Sequence, residues 1–441
     1  MVPRWFEPWA AGPEAEAVTA AADRVATLRR AFPVVAARTP RQRQELESAR
    51  QDLYARSVVF LRKHADRLYD EITAGRSLYL RIDEICDRAA RLVPGLVPSR
   101  REAEEEQLLP PAQKEGRDVE QAILLSHLLR SQVAGLHMLE AMRRPTERAQ
   151  RLLPTVLAEG EVTLGSVAVE LRDGAAYLTM HRDDCLNAED NEQVEDMETA
   201  VDLAMLAPTV RVGVLRGGVM THPKYAGRRV FSSGINLRKL HSGEISFLNF
   251  LMRRELGYIA KIIHGLSGDP ESAWRGSAVH KPWLAVVDAF AIGGGAQVML
   301  ACDRIIAERG AYFSLPAAQE GIVPGAANLR LTRAVGTRLS RQIILTGQRV
   351  TAGEPEGSLL FDEVWPARDL DLAVETEVRR LDSPAVVANR HMLNVADEPA
   401  DDLRRYLADF AVEQAERLYS KDVMNKVTRF TSGAHAGTAA C

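Results

Sequence analysis

Through the first 160 residues apolar side chains recur every three or four positions, the spacing of a helix that buries one face. Ile82, Ile85, Ala89 and Leu92 define one such stripe, with Ser77 placed to cap the helix and Pro94-Gly95 to stop it. The same period predicts helices over residues 14–31, 42–74 and 118–143, separated by proline-bearing joints such as Leu109-Pro110-Pro111. Residues 1–160 therefore read as an all-helical N-terminal domain.

Beyond this point the period shortens. The runs VAVEL and AAYLTM flank Arg172-Asp173-Gly174, and Asp-Gly between short apolar runs predicts a tight hairpin. A helical stretch over 192–206 leads to buried-strand candidates at 210–215 and 283–287, so residues 161–380 read as an α/β core. Residues 381–441 return to helix, with Leu403, Tyr406, Leu407, Phe410 and Ala411 on one stripe that must dock on its own chain or on a neighbouring subunit. Glycine usage agrees with the change of architecture, since only Gly12, Gly75, Gly95, Gly116 and Gly135 of the 30 glycines precede residue 160.

Composition narrows the function. In 441 residues, 56 Lys and Arg stand against 60 Asp and Glu, a net charge of −4, which gives no reason to expect nucleic acid as a partner. Cys86, Cys185, Cys302 and Cys441 lie far apart, without a CxxC pair or a His cluster, so neither structural zinc nor a disulfide framework is expected. The opening residues lack a leader pattern, and even AILLSHLLRSQVAGLHMLEAM is interrupted by Arg130, so a cytoplasmic protein with no membrane partner is expected.

Two glycine-bearing segments stand at the ends of candidate strands: Phe231 to Leu237 (FSSGINL) and Ala291 to Gln297 (AIGGGAQ), the second opening a helix. Glycine lets the backbone approach a ligand, and the first turn of a helix offers unpaired N–H groups, which suits a negative oxygen; a triple glycine alone reads equally as a tight strand-to-helix turn. The spacing does not match the dinucleotide fingerprint GxGxxG.

FSSGINLRKL followed by AVVDAFAIGGGAQVMLACDRIIAERGAYFSLPAAQEGIVPGAANLRLTRAVG resembles the paired motifs of the crotonase (enoyl-CoA hydratase/isomerase) superfamily, over roughly residues 165–380. The resemblance implies a spiral of ββα units in which the backbone N–H groups of Ile235 and Gly294 hold the thioester oxygen of an acyl-CoA. Each such donor is commonly worth ~2.7–4 kcal/mol at a developing enolate. Where the family's hydratases carry two catalytic glutamates this chain has Gln297 and Ala317, neither of which is a base, so an enolate would form and be handed to a reaction other than hydration.

An insertion, VMTHPKYAGRRV, precedes FSSG. Singly its residues read as an ordinary polar loop; together His222, Pro223, Lys224 and Tyr225 are candidate walls for the pantetheine arm and its phosphates. Arg254 shares a helical stripe with Phe250, Leu251, Tyr258 and Ile262, so its charge needs partners; an ion pair or snorkelling would satisfy it. In the family setting it becomes a candidate for phenolic oxygens of an aromatic acyl group, helped by Glu189 and Gln297. Glu189 follows Leu186-Asn187-Ala188, which looks like the family's LNAL, and in isolation reads as an exposed carboxylate at a helix start. Asp183, Ala188, Ser233, Gly234, Asn236, Leu237 and Gly293 complete the substrate contacts, and Leu237 and Ile322 are candidates for a dry oxygen pocket, or simple core residues.

Taken together these features are similar to an oxygenase branch of the superfamily that acts on arylacetyl-CoA with neither metal nor organic cofactor. That resemblance implies molecular oxygen as co-substrate, CoA only as part of the substrate, and a homo-oligomer, trimeric or a dimer of trimers. Glu189, His222 and solvent all stay open as proton acceptor. Two other classes also stay open: an isomerase or thioester hydrolase on the same scaffold, and a non-catalytic acyl-CoA-binding subunit.

Overall fold

The computed structural model describes residues 12–268 and 278–420, which pack into two units. The first is helical and gathers the chain up to Met142 with Ser242–Leu248 and Ala400–Ser420. Its helices Pro13–Ala31 and Pro40–Ile72 match the expected periodicity, and the second begins on a capping box: Thr39 and Gln42 satisfy each other's backbone N–H. Helix Ile82–Leu92 buries Ile82, Ile85 and Ala89, but Leu92 is exposed. Its N-terminus is also not where Ser77 would set it: the Ser77 hydroxyl donates to Ala74 O, and the Glu84 carboxylate caps the N–H of Arg81 instead.

The single helix expected over 118–143 is two, Asp118–Arg130 and Gln132–Met142. Ser131 leaves helical geometry between them and caps the second with its hydroxyl at Ala134 N, 3.1 Å, a competition for the backbone typical of serine. Helix Ala400–Leu418 packs its Leu403, Leu407, Phe410 and Ala411 stripe on Asp118–Arg130. Arg404 seals the contact by donating to the carbonyls of Leu129 and Arg130 at 3.1 and 2.8 Å, the orphan acceptors of a helix C-terminus. Contacts thus divide the chain differently from the linear boundaries 1–160, 161–380 and 381–441. Helix Glu147–Glu159 packs on Asn191–Leu206 in the second unit, and Ala400–Leu418 belongs with the N-terminal helices. Cys441 and residues 421–440 lie outside the described residues.

The second unit is built on a seven-stranded sheet of order β1-β2-β3-β4-β5-β7-β10. Its strands are β1 (Glu161–Thr163), β2 (Val167–Arg172), β3 (Ala175–Met180), β4 (Val212–Gly217), β5 (Trp283–Val287), β7 (Arg304–Glu308) and β10 (Glu363–Trp365). The predicted hairpin joins β2 to β3: Asp173 and Gly174 take φ of 52° and 77°, the two left-handed residues of a two-residue turn. From β3 onward every pairing in this sheet is parallel. Leu370–Leu381 covers one face, packing Leu370, Val374 and Val378 on Val214, Val286 and Ile306. A second sheet, β6 (Phe290–Ile292), β8 (Tyr312–Ser314) and β9 (Val350–Thr351), continues from the end of β5. Parallel strands collect their connections at their carboxyl ends, and there the segments after β4 and β6 bring the two glycine motifs together. No helix among the described residues is long and apolar enough to cross a membrane.

Candidate active site

Leu186 and Asn187 both have positive φ, 53° and 57°, an unusual pair for residues with side chains. The strained turn is held by side chains from the FSSG segment. Ser232 donates its hydroxyl to Asn187 O at 2.8 Å and Ser233 to Cys185 O at 3.0 Å, while the Asn187 amide bridges Val230 O and Arg182 N at 2.7 Å each. The turn delivers Glu189 beside Ile235: Glu189 N–H donates to Gly234 O at 2.7 Å and Asn236 N–H to Glu189 O at 2.8 Å. That register leaves the N–H of Ile235 on the opposite side of its strand, out of the ladder.

On the other segment, Ile292 N–H donates to Ser232 O at 3.0 Å and Gly293 N–H to Ser314 O at 2.9 Å. Gly293, at φ 52° and ψ −114°, turns the chain into helix Gly294–Met299, whose first N–H has no partner within the helix. A methyl built on Gly234 would lie 3.4 Å from Gly294 N, and one on Gly293 would lie 3.9 Å from Ile235 N, so the two amides are neighbours. Among the described residues neither donates a hydrogen bond. The two amides that the motifs single out thus lie side by side.

Behind it lies a buried charge network centred on Arg254, 3 % exposed. The guanidinium Nε and Nη2 lie 3.2 and 3.1 Å from Glu189 Oε2, Nη1 donates to Glu255 Oε1 and Gln297 Oε1 at 2.9 Å each, and Nη2 also donates to Gly294 O at 2.5 Å. All five guanidinium donors are engaged. Glu189 accepts a further bond from Tyr258 Oη at 2.9 Å. Gly294 makes the arrangement sterically feasible, because a methyl there would fall 1.6 Å from Glu189 Oε2. The network continues: Glu255 Oε2 accepts from Ala326 N at 3.2 Å and lies 3.5 Å from Arg330 Nη1, Arg330 grips Glu398 at 2.8 and 3.0 Å, and Glu398 meets His264 at 3.1 Å.

Glu189 therefore is not an exposed helix-start carboxylate. It is 3 % exposed, and Asp190 caps helix Asn191–Leu206 in its place, accepting from Gln193 N at 3.1 Å.

The enoyl-CoA hydratase/isomerase family model matches residues 268–423. A (3,5-dihydroxyphenyl)acetyl-CoA 1,2-dioxygenase of Amycolatopsis orientalis is 53 % identical over 96 % of this chain and 97 % of its own length. The chain belongs to the crotonase (enoyl-CoA hydratase/isomerase) family. A probable enoyl-CoA hydratase of Rhizobium meliloti is 28 % identical over 52 % of this crotonase and 81 % of its own length. The solved enoyl-CoA hydratase of Mycobacterium avium subsp. paratuberculosis superposes with a TM-score of 0.50 and 26 % identity over 60 % of this chain and 99 % of that one.

In this crotonase the two positions that the resemblance links to acid–base glutamates are filled without a base. Gln297 is buried with its Oε1 turned to Arg254, which leaves its NH₂ as a donor, and Ala317 is 2 % exposed. The insertion folds back on itself through the Val219–Arg229 and Met220–Ala226 pairings. Tyr225 packs edge-on against Phe290 at 5.3 Å, with His222 at 6.0 Å and Lys224 Nζ 5.5 Å above its ring, while Pro223 and Lys224 are exposed.

Several predicted contacts have structural work of their own. Asp183 accepts from Thr221 N at 2.7 Å, from the Thr221 hydroxyl and from His222 N, anchoring the insertion; these bonds hold its carboxyl below the usual range. Asn236 caps helix Leu237–Ser242 through Lys239 N at 3.2 Å. Ala188 is buried, whereas Leu237 and Ile322 are half-buried.

Glu255, Arg330 and Glu320 were not singled out by sequence reasoning. The segment around Arg254 is wound in widened turns, Phe247–Met252 and Glu255–Ile259, with non-helical geometry at Gly257, so Glu255 is buried along with Arg254. Burial pulls the Arg254 guanidinium down, but Glu189, Tyr258 and Glu255 together hold it above its ordinary value. Burial pushes the Tyr258 hydroxyl well up. Glu398 is raised by burial but brought far below the carboxylate range by Arg330 and His264. Glu320, in contrast, is pushed up to about 7 by burial alone.

Proposed function

We propose that this crotonase is a cofactor- and metal-independent dioxygenase that converts (3,5-dihydroxyphenyl)acetyl-CoA and O₂ to 3,5-dihydroxyphenylglyoxylate and CoA. The observation that carries this reading is the 53 % identity to the Amycolatopsis orientalis dioxygenase over 96 % of the chain, whereas the solved hydratase aligns with only 60 % of it. In this reading the 2-oxo acid serves as a precursor of dihydroxyphenylglycine, and the chain acts in glycopeptide-antibiotic biosynthesis.

The geometry supports an enolate route. The α-methylene lies between an aryl ring and a thioester, and the Ile235 and Gly294 amides would stabilise the oxygen that gains charge on deprotonation. The enolate carbon gives one electron to O₂, and recombination of the radical pair forms a peroxide at the α-carbon. Its distal oxygen attacks the thioester carbonyl and expels CoA as thiolate. Cleavage of the O–O bond with loss of the remaining α-hydrogen leaves the 2-oxo acid. Both atoms of O₂ enter the product, and the thiolate takes up one of the two protons released.

For the ring, the prebuilt cluster of Glu189, Arg254 and Gln297 offers an acceptor carboxylate and the free NH₂ of Gln297. With its own N–H groups engaged, Arg254 reaches a phenolic oxygen only by exchanging a present partner, so its first role here is to position Glu189 and Gly294. The insertion residues His222 to Tyr225 are assigned to the pantetheine arm. Leu237 and Ile322, aliphatic and incompletely buried, are assigned to the oxygen pocket. In this reading the enzyme works in the cytoplasm as a homo-oligomer.

The test is turnover by chelator-treated, metal-free protein under ¹⁸O₂, with mass analysis of the product. Two labelled oxygens in the keto acid are expected. CoA release without O₂ uptake, or activity that needs an added metal, overturns the proposal and leaves a thioester hydrolase or a metal-dependent oxygenase.

A further inference from the structure

The segment from Ser314 to Gly325 is tied at both ends to the amide pair and its supporting network. Ser314 O accepts from Gly293 N at 2.9 Å. At the other end a methyl on Gly325 would fall 2.6 Å from Gln297 Oε1 and 2.1 Å from Glu255 Oε1, and Ala326 N–H donates to Glu255. Between these ties the chain makes the single turn Ala317–Glu320, closed by Gly321 in left-handed geometry. Residues three apart on such a turn share a face, so Glu320 returns a carboxyl one turn after Ala317, the position the family's hydratases fill with a glutamate.

Glu320 is 9 % exposed, and among the described residues its carboxyl has no hydrogen-bond donor and no ion-pair partner. The carboxyl oxygens keep slight contact with solvent, so Glu320 is a largely buried acid that no described residue holds. The other buried acids of the network are committed: Glu189 to Arg254 and Tyr258, Glu255 to Arg254, Ala326 and Arg330, Glu398 to Arg330 and His264. Helix Ala327–Thr346, packed against the turn, carries Arg330, Arg333, Arg338 and Arg341. Arg330 is held by Glu398, Arg333 donates to Asp397 O, and no charge contributes to the upward shift of Glu320.

We infer that Glu320 is the general base that takes the α-proton of the bound thioester. This deepens the dioxygenase reading and rests on it for the substrate. The C–H bond breaks, its electron pair passes into the enolate held by the Ile235 and Gly294 amides, and the proton forms the carboxylic acid of Glu320. That acid later returns the proton to the departing CoA thiolate, which regenerates the base. A base whose affinity for protons lies near neutrality suits both directions of transfer.

The experiment is α-proton exchange of (3,5-dihydroxyphenyl)acetyl-CoA in D₂O under argon, followed by mass spectrometry, alongside aerobic O₂ uptake, for wild type, Glu320→Gln and Glu320→Asp. In Glu320→Gln exchange and O₂ uptake are both expected to fall by more than ~100-fold. The dissociation constant for the CoA ester should stay within a few-fold, Glu320→Asp should recover part of the rate, and the rising limb of the wild-type pH profile near 7 should vanish. Exchange in Glu320→Gln at the wild-type rate overturns the assignment, as does a loss of exchange that merely parallels a loss of ester binding. Wild type that exchanges without consuming O₂ sinks the dioxygenase reading while leaving the base in place. Wild type that does neither overturns both.

Discussion

Arg254 Nη2 donates to the carbonyl oxygen of Gly294 at 2.5 Å, so the residue that supplies one of the two free amides is held from behind by a buried cation. The same guanidinium fixes Glu189, which occupies the space that a side chain at 294 would need. Amide pair and charge network are thus one construction, and several outcomes follow from it.

Arg254→Ala would strand Glu189 and Glu255, 3 % and 1 % exposed, without their shared cation. Breaking a buried pair in this way costs about 3–5 kcal/mol, which thermal or urea unfolding will register. Arg254→Lys restores the charge without the fork and should recover only part of the loss. If Arg254→Lys prefers the dihydroxyphenyl ester over plain phenylacetyl-CoA as strongly as wild type, the guanidinium has no part in reading the ring.

Gly294→Ala places a methyl 1.6 Å from Glu189 Oε2, so either the carboxylate or the helix start must move. Loss of one oxyanion donor typically costs about 10²–10³ in rate, and a drop of that size in α-proton exchange is expected, with far-ultraviolet circular dichroism unchanged. Exchange at the wild-type rate would show that Glu189 gives way instead, and that the position of the residue 294 amide does not depend on it.

Glu320 is raised from an ordinary 4.5 to about 7, so its folded form prefers the proton. Its contribution to stability is complete below the unfolded carboxylate range and fades as pH rises through about 7, where the buried group must ionise. Glu320→Gln should therefore match wild type near pH 5 and exceed it near pH 8, by at most about 3 kcal/mol for a shift of this size. Chemical denaturation at the two pH values checks the sign.

Glu398 behaves in the opposite sense, because Arg330 and His264 hold its carboxyl low. Its stabilisation is present above the unfolded carboxylate value and is lost as pH falls toward the depressed one. Glu398→Gln should lower the melting temperature at pH 7 and flatten the acid limb, so that the two proteins converge in strong acid. Parallel acid limbs would mean that Glu398 is not a principal acid-labile contact.

The features legible in the sequence are those fixed by local chemistry. The Asp173-Gly174 hairpin and the glycine pair around Ile235 and Gly294 follow from conformations only certain residues adopt, and the burial of Arg254 follows from the apolar spacing around it. What escaped depends on partners distant along the chain. Ser131 breaks a helix whose apolar period runs through it, and Glu84 outcompetes Ser77 as a cap. Glu255 is drawn inside because widened turns alter the helical phase and Arg330 reaches it from another helix. Nothing in the spacing around Glu320 marks it, because the packing around its single turn is what buries it.

The docking of Ala400–Leu418 on Asp118–Arg130 sets an order of assembly. A ribosome releases the first helices of this unit long before the helix that covers them, and domains completed early in synthesis can fold while later ones are still being made. The earliest-made segment must therefore wait, its apolar groove unsealed, until Leu403, Leu407 and Phe410 emerge. A chain cut short before them would present that groove to the cell's quality-control machinery, however sound its catalytic half.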